Sequence, residues 1–237
     1  MRIAILNVST DDAPYARRHP DDGARFAALM RSARPDWDFP IHRSFEGDFP
    51  AGPGAADGFL VTGSPTSVND DLPWVHRLMD FIRAAEAARA PLFGACFGHQ
   101  AAAKALGGAV GPNPGGCMLG MVETEFFAPR GWMAPFQPRL RLHCGNYEQV
   151  TRLPEAAETV GRAEGCPVAA FAIGDHVFTT QFHPDMPRGY VEEMIAFMEP
   201  NEPAGTIARA RASLAGPDEA ARMAEWMARF WEQGRRA

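Results

Sequence analysis

Three short apolar runs, each followed by a segment with helical spacing, constrain the fold of this chain most strongly. The runs cover residues 2–8, 58–62 and 91–95, and the helical segments lie near residues 26–33, 74–82 and 97–106. Runs that are apolar on both faces suit strands buried inside a parallel sheet. The alternation predicts an α/β fold: an open, mostly parallel sheet flanked by helices, with ligands bound at the carboxyl ends of its strands.

The middle of the chain and its last part have a different character. Residues 107–116 are rich in Gly and Pro, and residues 121–127 and 166–182 have the composition of strands, which predicts an antiparallel section at one edge of the sheet. A helix is expected over residues 190–198. A terminal helix beginning near Pro217 carries an apolar stripe, which either packs on the core or forms a partner surface. We predict an α/β domain over residues 1–199 and a helical extension, residues 200–237, packed on it.

The composition excludes several classes of function. The formal net charge is −6, with 23 basic and 29 acidic residues, and no basic run marks a surface for nucleic acid or anionic lipid. The four cysteines are dispersed, which predicts neither disulfides nor a metal site, and no cofactor motif or nucleotide-binding loop is found. The cysteines are expected to be reduced thiols in the cytoplasm. No stretch has the roughly 20 apolar residues that cross a bilayer, so we expect a soluble protein.

Cys96 lies between two glycines where the third apolar run meets the following helical segment. A sharp strand-to-helix turn needs small residues two positions on either side, and Gly94 and Gly98 provide them. The helix N-terminus would favour the thiolate, and the turn would hold the sulfur exposed above the sheet. The N–H of Phe97 could then stabilise an oxyanion. The motif alone does not distinguish such a nucleophile from an inert buried thiol.

Two other segments could complete a catalytic site. Residues 176–182 are expected to form a strand ending at His183, and Pro184 turns the chain so that the carboxylate of Asp185 can reach the imidazole. A turn at Gly63-Ser64, after the second apolar run, could bring a second oxyanion donor to the same edge. His99 is closer to the cysteine in sequence but lies inside a helix with no nearby carboxylate, so we expect a structural role.

The chain resembles the class I, or triad, glutamine amidotransferases, whose fold is flavodoxin-like. The resemblance spans roughly residues 2–197 and is carried by four segments: residues 58–65, 94–100, 145–150 and 181–185. It implies three groups of site residues. They are the catalytic Cys96, His183 and Asp185, the oxyanion donors Ser64 and Phe97, and the substrate-binding Gly63, Gln100, Asn146 and Tyr147.

The sequence departs from the family pattern at three places. Asp185 stands where the family usually has the longer glutamate, Gly63-Ser64 replaces the usual Gly-Gly, and Gly145-Asn146 replaces the usual Ser-His. The first departure could leave His183 less firmly held, and the last weakens the assignment of the substrate-binding residues.

The resemblance implies hydrolysis of the γ-amide of glutamine through a γ-glutamyl thioester on Cys96, with ammonia passed to an acceptor or to a separate synthetase subunit. Residues 63–107 are also similar to γ-glutamyl peptidases, which form the same thioester but release an amine or a peptide. A non-catalytic regulatory subunit is the third alternative.

Overall fold

The computed structural model describes residues 1–234 of the chain, which form a nine-stranded sheet, a two-stranded sheet and six α-helices. The strands of the large sheet are β1 (Ile3–Asn7), β2 (Ile41–Arg43), β3 (Gly58–Val61), β4 (Leu92–Ala95), β6 (Met118–Phe126), β7 (Arg139–Asn146), β9 (Glu158–Ala163), β10 (Cys166–Ile173) and β11 (Val177–Thr180). The small sheet pairs β5 (Ala109–Pro112) with β8 (Glu148–Arg152). The helices are α1 (Asp22–Ala33), α2 (Pro73–Ala87), α3 (Phe97–Ala105), α4 (Arg188–Met198), α5 (Ala204–Ser213) and α6 (Ala220–Gly234).

The large sheet has the order β2-β1-β3-β4-β11-β10-β9-β6-β7. The first five strands in this order are parallel to one another, and the others add in antiparallel fashion. The fold is therefore α/β with a large, mostly parallel sheet flanked by helices, as the sequence predicts. The carboxyl ends of β3, β4 and β11 lie side by side at one edge, which is the place where an open α/β sheet binds ligands.

One part of the predicted antiparallel section was wrong. Residues 166–182 do not all belong to it, because β11 pairs in parallel with β4 on one side and antiparallel with β10 on the other. The strand also ends at Thr180, two residues earlier than predicted. The sequence pattern cannot show this, since each strand reads as apolar whichever way it runs.

The helices begin and end where local chemistry directs. The side chain of Asp21 caps α1 by accepting the backbone N–H of Ala24 at 2.8 Å, and Pro73 occupies the first turn of α2. Helix α1 ends before Pro35, as predicted.

Helix α5 was not predicted. Within residues 1–234, no helix combines the length and the apolar character needed to cross a bilayer.

The apolar stripe of α6 packs on the core. Met223, Trp226, Met227, Phe230 and Trp231 are all fully buried, and the Trp231 ring contacts Phe93 of β4 with centroids 6.2 Å apart. This stripe is therefore part of the core and does not form a partner surface. The proposed division at residue 199 stays a prediction. The last residues of the helical extension, 235–237, lie outside the described part of the chain.

Candidate active site

Cys96 lies at a sharp turn between β4 and α3. Its φ of 49° and ψ of −103° are unusual for a residue with a side chain and mark local backbone strain. A Cβ atom on Gly94 would lie 2.6 Å from the carbonyl carbon of Gly98, and a Cβ atom on Gly98 would lie 2.4 Å from the carbonyl oxygen of Val61. Both glycines are therefore required by close backbone contacts, as the sequence predicts for such a turn.

The sulfur of Cys96 faces a cavity of about 370 Å³ but is less exposed than predicted. The residue is only 5% exposed, although it lines the cavity. The side-chain amide of Gln181 lies 3.6 Å from the sulfur as a hydrogen-bond donor. Phe97 is the first residue of α3, a position where the backbone N–H has no acceptor within the helix. The thiol thus lies beside the side-chain amide of Gln181 and directly before the first turn of α3.

His183 and Asp185 lie just beyond the end of β11, beside Cys96. The backbone N–H of His183 donates to the carbonyl oxygen of His143 at 2.8 Å, which fixes the chain there. Ring atom Nδ1 lies 3.0 Å from Oδ1 of Asp185, and the ring lines the same cavity as Cys96, with which it interacts electrostatically. The structure therefore brings together the three residues that the sequence proposes as catalytic.

The electrostatics of this trio favour the imidazolium form of His183 and the carboxylate form of Asp185. Burial by itself lowers the pKa of His183, but the neighbouring sulfur of Cys96 and carboxylate of Asp185 outweigh burial and raise it to about 10. Burial raises the pKa of Asp185, but His183 and Arg25 outweigh burial, so this pKa lies below its ordinary value. His183 is therefore protonated and Asp185 ionised at neutral pH.

Two charged residues of α1, Asp22 and Arg25, complete the cluster and were missed by the sequence analysis. Nε of Arg25 donates to Oδ2 of Asp185 at 3.1 Å, and Nη2 forms an ion pair with Oδ1 of Asp22 at 2.9 Å. Both residues are buried. Their signal in the sequence was their place on the stripe that also carries Phe26 and Met30, where a charged side chain must be buried with a partner.

The cluster of Asp22, His183 and Asp185 also has the atom types of a metal site, with ligand atoms within 4.8 Å of one another. Arg25 already contacts both carboxylates and supplies the positive charge that a cation would bring. This donor set therefore suits an ion-pair network better than a bound metal.

Ser64, Gln100, Asn146 and Tyr147, predicted from the resemblance, line the same cavity as Cys96. The amide nitrogen of Gln100 donates to the carbonyl oxygen of Glu148 at 2.8 Å and to Oε1 of Gln181 at 3.2 Å. Oδ1 of Asn146 is buried and has no hydrogen-bond partner among residues 1–234. Tyr147 is largely exposed and donates its hydroxyl to Glu202. Roles for these residues stay predictions.

Gly63 packs against the ring of His183. A Cβ atom at this position would lie 2.5 Å from Cε1 of the imidazole and 3.2 Å from Nε2. The need for glycine here is thus explained by the space that the histidine ring takes, and its predicted contact with substrate is not tested by this packing.

His99 faces away from the cavity. Its Nδ1 lies 2.8 Å from the hydroxyl of Thr179, and its ring packs 5.0 Å from the ring of Phe171. Complete burial lowers its pKa to about 3, so the ring is neutral. These contacts are those of a packing residue.

Part of the lining of the cavity is apolar and was not predicted. It is lined by two tyrosines and three methionines from the segment before α1 and from the region of α4, namely Tyr15, Met186, Tyr190, Met194 and Met198. Flexible methionine side chains adapt to ligands of varied shape. The cavity therefore has an apolar part to its lining.

The sequence is similar to those of known proteins. The chain is 28% identical over 178 residues to γ-glutamyl peptidase 3 of Arabidopsis thaliana, covering 72% of this chain and 71% of that protein. It is 32% identical over 131 residues to a glutamine-hydrolysing GMP synthase of Aeropyrum pernix, covering 55% of this chain and 24% of the synthase.

Among solved structures, the fold matches a glutamine amidotransferase from Methylobacillus flagellatus with a TM-score of 0.75 and 26% identity, covering 98% of this chain and 94% of that one. The family model described as class-I glutamine amidotransferase matches residues 36–198, about two thirds of the sequence. The protein therefore belongs to the class-I glutamine amidotransferase family.

Proposed function

We propose that this protein is a cysteine-dependent amide hydrolase that cleaves the γ-amide of glutamine or of a related γ-glutamyl compound. Cys96 is the nucleophile, His183 the general acid and base, and Asp185 the carboxylate that orients the histidine. One observation carries the proposal: Cys96 and His183 line the same cavity, and Nδ1 of the His183 imidazole lies 3.0 Å from the carboxylate of Asp185.

In the first half of the reaction, the thiolate of Cys96 attacks the γ-carbonyl carbon, and the carbonyl oxygen takes the negative charge. The backbone N–H groups of Ser64 and Phe97 are the proposed donors to this oxyanion, and one such donor lowers the barrier by about 2.7–4 kcal/mol. The imidazolium of His183 gives its proton to the departing nitrogen. The C–N bond breaks, and a γ-glutamyl thioester remains.

In the second half, the neutral ring of His183 takes a proton from water, and the resulting hydroxide attacks the thioester. The C–S bond breaks, glutamate leaves, and the thiolate and imidazolium are restored. Asp185 stays ionised throughout, because its lowered pKa holds it as the acceptor of the ring N–H.

Recognition of the γ-glutamyl part is assigned to the polar wall of the cavity. The unpaired Oδ1 of Asn146 is a buried acceptor that can receive a hydrogen bond from the α-ammonium group. Gln100, with the backbone of Gly63 and of Tyr147, is proposed to contact the remaining polar atoms of the substrate.

A second candidate, a γ-glutamyl peptidase, is supported by the size of the cavity. Its 370 Å³ falls in the range of about 300–1,000 Å³ that holds drug-sized ligands, which is more than glutamine needs. The similarity to γ-glutamyl peptidase 3 points the same way. An amidotransferase would instead pass its ammonia to a synthetase.

The test is to assay the purified protein alone with glutamine and with γ-glutamyl anilide, measuring ammonia and aniline. A peptidase releases aniline quickly without a partner, whereas a partner-dependent amidotransferase is slow on both substrates. In either case, a glutamine analogue with an electrophilic ketone in place of the amide should label Cys96, as read by peptide mass spectrometry, and Cys96→Ser should abolish turnover. Absence of an adduct on the folded protein would reject the enzyme and favour a regulatory role.

A further inference from the structure

The guanidinium of Arg25 is fixed by four contacts, although Arg25 belongs to α1 and not to any segment of the proposed triad. Nε donates to Oδ2 of Asp185 at 3.1 Å, Nη1 donates to the carbonyl oxygen of Pro20 at 2.9 Å, and Nη2 pairs with Asp22 at 2.9 Å. The guanidinium also lies 4.3 Å from the ring centroid of Tyr190, within the range of a cation–π interaction. A long side chain held in this way acts as a rigid element.

The contact with Asp185 is made on the oxygen that His183 does not use. Oδ1 of Asp185 faces Nδ1 of His183 at 3.0 Å, and Oδ2 faces Arg25. The carboxylate is thus held from both sides, and rotation about its side-chain bond would break both hydrogen bonds. The side chain of Asp185 is completely buried, so water cannot replace either partner.

Arg25 also balances the charge of the cluster. Two buried carboxylates, Asp22 and Asp185, lie close together, and each of them repels the other when ionised. Burial and the Asp185 charge raise the pKa of Asp22, against the opposing effect of Arg25. Without the guanidinium, the two carboxylates would compete for a proton.

We infer that Arg25 is a positioning residue for the proposed reaction: by binding Oδ2 of Asp185, it holds Oδ1 of that carboxylate against the ring of His183. The inference rests on the proposed function and adds to it a residue outside the triad. Arg25 does not touch the reacting atoms, and its effect passes through Asp185.

The sign of the pH effect follows from the groups around the pair. The ring of His183 is faced by groups from several elements. They are Cys96 in the turn before α3, Asp185 in the same segment as His183, Asp22 in α1 and His143 in β7. Arg25 lowers the pKa of Asp185, so its removal lets that carboxylate protonate at a higher pH. A protonated Asp185 no longer stabilises the imidazolium, and the acid limb of Cys96 reactivity therefore moves to higher pH.

The experiment compares Arg25→Gln with Arg34→Gln. Arg34 follows the same helix and forms ion pairs with Glu225 and Glu232 of α6, so its replacement removes a comparable charge away from the cavity. The rate of Cys96 alkylation by iodoacetamide is measured from pH 4.5 to 9 on folded protein, with steady-state kinetics in parallel. This readout needs no substrate.

For Arg25→Gln we expect the acid limb to move up by about one pH unit or more, which corresponds to roughly tenfold slower alkylation on that limb. We also expect kcat to fall about tenfold or more with little change in KM, because a misplaced base affects the transition state. Arg25→Lys keeps the charge and should recover part of the pH profile. Arg34→Gln should leave the profile unchanged.

If Arg25→Gln does not fold, the double variant Asp22→Asn/Arg25→Gln removes one charge of each sign and carries the same test. An unchanged acid limb in the folded variant would overturn the inference. A reference variant, His183→Gln, distinguishes failure of the proposed function from failure of the inference about Arg25. If His183→Gln also leaves the alkylation of Cys96 unchanged, the proposed function fails. If His183→Gln changes the alkylation and Arg25→Gln does not, only the positioning role of Arg25 is rejected.

Discussion

Replacement of Gly63 by alanine tests whether the position of the His183 ring controls the chemistry. The φ of Gly63 lies outside the left-handed region, so the backbone itself would accept a side chain. The new Cβ, however, would lie 2.5 Å from Cε1 of His183, where carbon atoms normally stand about 3.5–4.0 Å apart. The ring or the loop must therefore move by about 1 Å.

The ring can move away only if its hydrogen bonds break. It is tied to Asp185 at 3.0 Å through Nδ1, and its backbone is tied to His143 at 2.8 Å. A displacement of about 1 Å in a catalytic group lowers the rate by about 100-fold, or about 2.7 kcal/mol of barrier. Overpacking of this kind also costs about 1–3 kcal/mol of folding free energy.

The assay is kcat/KM for glutamine or γ-glutamyl anilide, with urea unfolding of the same samples. Gly189→Ala is the matched control, because Gly189 lies in α4, its new methyl group would have no other atom within 4 Å, and alanine suits a helix there. We expect Gly63→Ala to lose activity while remaining folded, and Gly189→Ala to keep both. Gly63→Ala activity within threefold of the parent protein would refute the argument that the imidazole must occupy this space.

Three further predictions concern the thiols, the imidazolium and the core. Iodoacetamide at pH 7.5 should label Cys96 before Cys117, whose pKa is raised to about 11 by burial and by the nearby Glu202 carboxylate; peptide mapping that finds Cys117 labelled first would contradict this. The folded-state pKa of His183, about 10, lies above its ordinary 6.5, so its stabilising contribution is complete below pH 6.5 and is lost as the pH rises towards 10. The Tm difference between the parent protein and His183→Gln should therefore shrink over this range. A constant difference would count against the interaction of the imidazolium with Asp185. Trp231→Ala should cost about 3–5 kcal/mol in urea unfolding because the ring is fully buried, and a loss under 1 kcal/mol would show that α6 does not belong to the core.

The turn around Cys96 could be predicted from the sequence because its constraints are local. Gly94 and Gly98 are needed for contacts between backbone atoms a few residues apart, or with the adjacent strand. The contact between His183 and Asp185 is equally local, since the two residues are separated only by Pro184. Short-range sterics of this kind leave a readable pattern in the sequence.

The charged residues of α1 could not be placed in the same way. Arg25 reaches Asp185 across 160 positions of the chain, and that contact depends on how α1 packs beside the end of β11. Spacing alone shows that a buried helix face carries Asp22 and Arg25, but it does not name their partner. Strand β7 had a local signal in the alternation of residues 139–142: Leu140 and Leu142 are buried, whereas Arg139 is exposed and Arg141 is half-buried.

The direction of one strand decides whether the proposed site can form. β11 runs parallel to β4, with Thr180 beside Ala95, so the segment after it emerges at the edge where Cys96 lies. A four-residue strand rises about 13 Å, and β11 in the opposite direction would deliver His183 to the other edge of the sheet, beyond the reach of the thiol. The direction is imposed by the tight turn from β10, in which Gly174 has a φ of 48°. A turn remote from the cavity thus helps determine which residues meet there.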